Sequence, residues 1–200
     1  MVRETAFDDI FDSQATFRVL LDCLSKPGTV GMVRPLAYES PPQGFCSPAL
    51  SIMKTLCDHR VSFSVGSAEA RSGWTAYLEM NLSTPLRPVP EADYVVFDGR
   101  VYDDDFSHLN RGTLEFPESS ATALLCVQEL FDTGEPSGFE LRLRGPGVNG
   151  QAQLFVTGLD ARYLRERIQA NRFYPMGIDV FLVDASGRLA GIPRTSVVEV

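Results

Sequence analysis

The stretch Phe173–Val183 constrains this chain more than any other. Its apolar residues Ile178, Val180, Phe181, Leu182 and Val183, entered through Pro175 and Gly177, predict a buried strand. One acid, Asp179, stands inside the run, where a carboxylate without a partner would be costly to desolvate. Arg194 follows Pro193 at the mouth of the next short strand, so proline fixes how it is presented. Asp179 and the Arg194–Thr195 pair are therefore the first site candidates. Spacing alone gives them no chemistry.

The rest of the chain mixes strands and helices. A first helix is expected over 8–25, capped by Asp8 or Asp9, with Phe11, Phe17, Leu20, Leu21 and Leu24 on one stripe. Pro27 and Gly28 stop it. A short strand is possible over 29–33. Ser47 and Pro48 open a second helix, expected to run to about Asp58 with Ser47 as its cap. Residues 61–65 alternate at period two and predict a half-buried strand. A third helix over 72–82 carries Trp74, Tyr77, Leu78 and Leu82 on one side, and Tyr94–Phe97 reads as a strand. The apolar run 121–130 is read as strand by its length and position, with a helix still open. Residues 139–144 and 151–156 predict a hairpin. Leu141 and Leu143 would face its core, with Arg142 and Arg144 on the opposite face. Its turn, Gly145–Pro146–Gly147, could hold an anion in backbone N–H groups or be purely structural. The last helix, 159–170, has Leu159, Tyr163, Leu164 and Ile168 as its stripe and Arg162, Arg165 and Arg167 among its cations.

No strict strand–helix–strand rhythm links these elements. The expectation is one α/β domain over 1–200, with a mixed, partly antiparallel sheet flanked by helices.

Charge and composition exclude several functions. The formal net charge is -8, which argues against nucleic-acid binding. No apolar stretch is long enough for a membrane span and no signal segment opens the chain, so a cytoplasmic location is expected. Cys23, Cys46, Cys57 and Cys126 are far apart and read as reduced thiols. With His59 and His108 as the only histidines, no metal site has ligand spacing. The acids Asp98, Asp103, Asp104 and Asp105 lack the pattern of a calcium loop.

Several stretches, in order along the whole chain, carry a family resemblance. They are Phe17–Leu21 with Leu24–Gly28; Gly112–Thr113 with Pro117–Glu118 and Ala121–Thr122; Leu141–Val148; Pro175–Asp179; and Ile192–Thr195. The series resembles PhnH, a subunit of the bacterial carbon–phosphorus lyase system. That resemblance implies a fold related to pyridoxal-phosphate-dependent transferases, a homodimer, and a core complex with PhnG, PhnI and PhnJ. It also implies a role with PhnG, PhnI and PhnL in a reaction whose substrates are ATP and an alkylphosphonate. In that reaction a phosphonate displaces adenine from ATP to give a ribose 1-phosphonate 5-triphosphate.

A working pyridoxal enzyme needs a lysine, and the chain offers only Lys26 and Lys54, neither in a cofactor motif. No cofactor is expected on this chain. Within the resemblance, Arg194 and Thr195 are expected to bind an anion, and Asp179 to anchor it or to move a proton. Arg142, Arg144, Gly145 and Gly147 come second. Two alternatives stay open. Asp179 and Arg194 could be only a structural pair, and the chain could be a non-catalytic scaffold with no self-contained active site.

Overall fold

The computed structural model describes residue 8 and residues 10–36, 41–66, 71–134 and 138–199. Its centre is a six-stranded sheet. Four strands run parallel: β2 (Phe63–Val65), β3 (Tyr94–Asp98), β4 (Thr122–Cys126) and β8 (Asp179–Val183). Two more, β9 (Arg188–Ile192) and β1 (Gly31–Met32), add on antiparallel, giving the order β1-β9-β8-β4-β3-β2. A second, antiparallel sheet has the order β10-β6-β7-β5, formed by β5 (Glu129–Phe131), β6 (Phe139–Arg144), β7 (Ala152–Thr157) and β10 (Val197–Glu199). The fold is thus α/β with a mixed sheet, as expected.

Period two decides which layer each residue serves. Val95, Phe97, Ala123, Leu125, Val180 and Leu182 face the second sheet and α4 (Ala161–Ala170). Their neighbours Val96, Leu124, Cys126, Phe181 and Val183 face three helices: α1 (Phe11–Ser25), α2 (Ser47–Leu56) and α3 (Arg71–Asn81). A sheet covered on both faces needs continuous apolar strands. That is why β2 is buried throughout, Ser64 included, and not half-buried as its alternation suggested.

Local differences have local causes. Asp8 does cap α1: its Oδ1 accepts the N–H groups of Ile10 and Phe11 at 2.9 and 2.8 Å, and Asp12 Oδ2 accepts the Asp8 N–H. Asp9 lies outside the described residues. Only part of the expected apolar stripe of α1 is buried: Leu20 is in the core and Leu24 packs against it. Thr16, Leu20 and Cys23 are buried, while Phe11, Phe17 and Leu21 are 72, 50 and 56% exposed. The helix packs so closely that a Cβ on Gly191 would lie 2.9 Å from the Cys23 backbone. Small side chains therefore win that face. The second helix starts at Ser47 itself, without a side-chain cap, and ends at Leu56. The run 121–130 is strand, but it divides between the two sheets as β4 and β5. The hairpin β6–β7 forms with Leu141 opposite Leu154.

Candidate functional site

The entry to β8 is fixed by backbone clamps. Asn171, just past α4, accepts the Ile178 N–H at Oδ1 (2.8 Å) and donates from Nδ2 to the Ile178 carbonyl (3.0 Å). Gly177 (φ +150°) leaves no room for a side chain, since a Cβ would come within 2.6 Å of Asn171 Oδ1. Asp179 then stands at the first position of β8.

Arg194 closes on it. The Arg194 backbone N–H and Nη2 donate to Asp179 Oδ1 and Oδ2, at 2.6 Å each, and Nε lies 3.2 Å from Oδ2. Nη1 donates to the Pro117 carbonyl at 2.7 Å, which ties the loop before β4 to the same point. The two side chains are 21% and 18% exposed. The most deeply buried acid among the described residues stands at the other end of β8. Asp184, after β8, is 1% exposed and accepts from Ser186, Arg188 and the Leu130 N–H.

Above this pair lies a cavity of about 510 Å³ between α4, the segment 194–198 and the β6–β7 turn. Arg194, Thr195 and Pro146 line it, so the structure joins the predicted Arg-Thr pair to the predicted glycine turn. Asp179 touches it through Arg194. Gly145 and Gly147 have a packing reason for being glycine: Cβ atoms there would lie 2.9 Å from the Thr195 carbonyl and 2.1 Å from the Ser25 carbonyl. Arg142 and Arg144 are elsewhere. Each is about half exposed, Arg142 paired with Glu140, and Arg144 with Gln151 and Glu199.

Sequence reasoning passed over the residue that stands out most. Arg167 lines the cavity yet is only 2% exposed. Its Nη2 donates to the Pro193 carbonyl at 2.6 Å, and both Nη atoms reach the Ser196 carbonyl at 3.3 Å. Its Nε has no partner, nor has the buried Oγ of Ser196. Among the described residues no carboxylate forms an ion pair with Arg167. Burial lowers its pKa to about 10, although Asp179 nearby favours the charge. The signal was in the sequence. Arg167 falls on the buried face of α4 with Tyr163, Leu164 and Ala170, whereas Ile168, expected there, is 41% exposed.

The other end of the parallel sheet is the usual ligand-binding edge in open α/β folds. Here the ladder runs one residue past the strand ends: Gly66 donates to Val96, Gly99 to Cys126 and Val127 to Val183. No group of acidic, histidine or cysteine residues able to hold a metal occurs among the described residues. Nor is any described helix long and apolar enough to cross a membrane.

Comparison with known proteins gives a consistent result. Residues 5–199 match the family model described as bacterial phosphonate metabolism protein (PhnH). The chain is 31% identical over 196 residues to the alpha-D-ribose 1-methylphosphonate 5-triphosphate synthase subunit PhnH of Rhizobium meliloti (strain 1021), covering 96% of this chain and 92% of the relative. It is also 31% identical over 183 residues to HtxG of Stutzerimonas stutzeri, provisionally named as a C-P lyase subunit protein, covering 92% and 84%.

Proposed function

The chain belongs to the PhnH family of bacterial phosphonate metabolism proteins, and we propose that it serves as the corresponding subunit of an α-D-ribose 1-methylphosphonate 5-triphosphate synthase. The observation that carries this is its nearly full-length likeness to a protein named as that subunit. In this reading the chain works with PhnG, PhnI and PhnL in a transferase step and joins PhnJ in the core complex of the lyase system. A phosphonate oxygen bonds to C1′ of the ATP ribose, the C1′–N bond breaks, and adenine leaves. Free cysteines throughout, three of them buried, fit the cytoplasmic location proposed with it.

Within the cavity, Thr195 is assigned to the anion. Arg194 and Asp179 act as positioning residues, because the fork and the carboxylate are already engaged with each other and with Pro117. The Gly145–Gly147 turn supplies a wall through Pro146. Arg142 and Arg144 are left for contacts with partner subunits. The proposed kinship with pyridoxal-phosphate-dependent transferases does not extend to the cofactor. That group needs a lysine at the site; Lys26 is exposed and paired with Asp22, Lys54 lies in α2, and neither lines the cavity.

A scaffold role has its own support. Phe17 and Leu21, one turn apart, are both exposed on α1 and suit a second copy or another subunit. Complementation separates the two readings. A strain lacking its own subunit should regain growth on methylphosphonate with this chain. Thr195→Val should abolish growth while the complex still co-purifies, and Phe17→Glu with Leu21→Glu should break co-purification. Growth unaffected by Thr195→Val overturns the assignment of the anion to Thr195.

A further inference from the structure

We propose that the cavity under α4 binds a single phosphorus oxyanion carried on an apolar body, R–PO3, with Arg167 as its charge anchor. Three observations support it. First, the charges do not balance. Arg167 and Arg194 share one nearby carboxylate, Asp179, and among the described residues no acid lines the cavity, in a chain whose overall charge is negative. A surplus cation in a water-poor setting attracts an anion far more strongly than one in solvent.

Second, two buried polar atoms on the lining residues, Arg167 Nε and Ser196 Oγ, have no partner, and such atoms are rare unless a ligand or water completes them. Both are shielded from water, so a direct contact requires a small rotation of the wall. Third, the remaining lining is largely apolar: Pro146, Ile168, Val197 and Val198, with the Tyr174 ring. That surface suits an alkyl or aryl group and gives a triphosphate little to bind. Two walls thus specify two halves of one small molecule.

The choice of phosphorus rests on the functional reading above; the oxyanion and the apolar body do not. Organophosphonates and phosphate monoesters share this chemistry, and comparing them tells the source.

The test is isothermal titration of the purified chain with phenylphosphonate, phenyl phosphate, methylphosphonate and benzenesulfonate. One saturable site is expected for phenylphosphonate, with methylphosphonate at least five-fold weaker for want of the apolar contact. The tighter of phenylphosphonate and phenyl phosphate identifies the source. Arg167→Met should weaken phenylphosphonate at least ten-fold, since a hydrogen bond to a charged group is worth about 1.5–3 kcal/mol. Ile168→Trp, which fills the apolar half and leaves every charge in place, should do the same and guards against a misfolded Arg167 variant. Absence of saturable binding, or affinity unchanged in folded Arg167→Met or in Ile168→Trp, overturns the site. Benzenesulfonate binding as tightly as phenylphosphonate overturns the assignment to phosphorus. None of these results touches membership of the complex, which growth and co-purification decide separately.

Discussion

Replacing Asp179 by Asn, Arg194 by Met, and both together tests whether this pair holds the cavity wall. Asp179 accepts from the Arg194 backbone N–H and from its fork, and Arg194 also carries the Pro117 carbonyl. Exposed ion pairs couple by roughly 0.2–1 kcal/mol, whereas removing one partner of a buried pair costs about 3–5 kcal/mol. With side chains about one-fifth exposed, the pair falls between these limits, nearer the buried one. Asp179→Asn should cost about 3 kcal/mol, because it also leaves Arg167 without its nearest carboxylate. For a chain of this size that lowers Tm by roughly 6–12 °C. Arg194→Met should cost about 2–3 kcal/mol, and the double variant about 2 kcal/mol less than the sum. Urea unfolding of the four proteins at pH 7, followed by circular dichroism, measures the coupling. A value below about 0.5 kcal/mol would mean the pair is screened like any surface contact and does not hold the wall.

Other outcomes follow from single positions. Gly177→Ala must place a methyl group against the clamped Asn171 amide, so it should cost about 2 kcal/mol in thermal unfolding; no change would show the clamp to be slack. Asp184→Asn removes the charge and replaces Oδ2, the acceptor for Arg188 Nε and the Leu130 N–H, with a donor in a buried setting, and should cost about 3–5 kcal/mol, read by urea titration. Asp160 caps α4 and has its carboxyl lowered to about 2, chiefly by the Arg162 side chain. Because its folded pKa lies below the unfolded one, its contribution is complete above about pH 4 and fades as pH falls toward 2. Asp160→Ala should therefore cost about 1 kcal/mol at pH 7 and progressively less below pH 4, seen as converging melting curves.

Much of this was legible in the sequence because periodicity and turn residues act locally. The β6–β7 hairpin, α3, α4 and the strand after Gly177 all form where their patterns put them. What failed depended on distant packing. On α1, Phe11, Phe17 and Leu21 stay exposed while Thr16 and Cys23 join Leu20 in the buried face, because Gly191 on the sheet admits the helix backbone so closely. The run 121–130 reads as one strand, yet its two halves pair with different sheets, and only tertiary contacts decide that.

At the site, proline-framed Arg194 and strand-borne Asp179 were found because each breaks a local pattern. Arg167 was passed over as one cation among several on a helix. Its burial shows only when the apolar face of α4 is drawn through it.

The most direct test of the subunit role is adenine release from ATP and methylphosphonate by the assembled core subunits with PhnL, with this chain included and omitted. Release should depend on the chain and return when it is added back. Full-rate release in its absence would contradict that role in the transfer step.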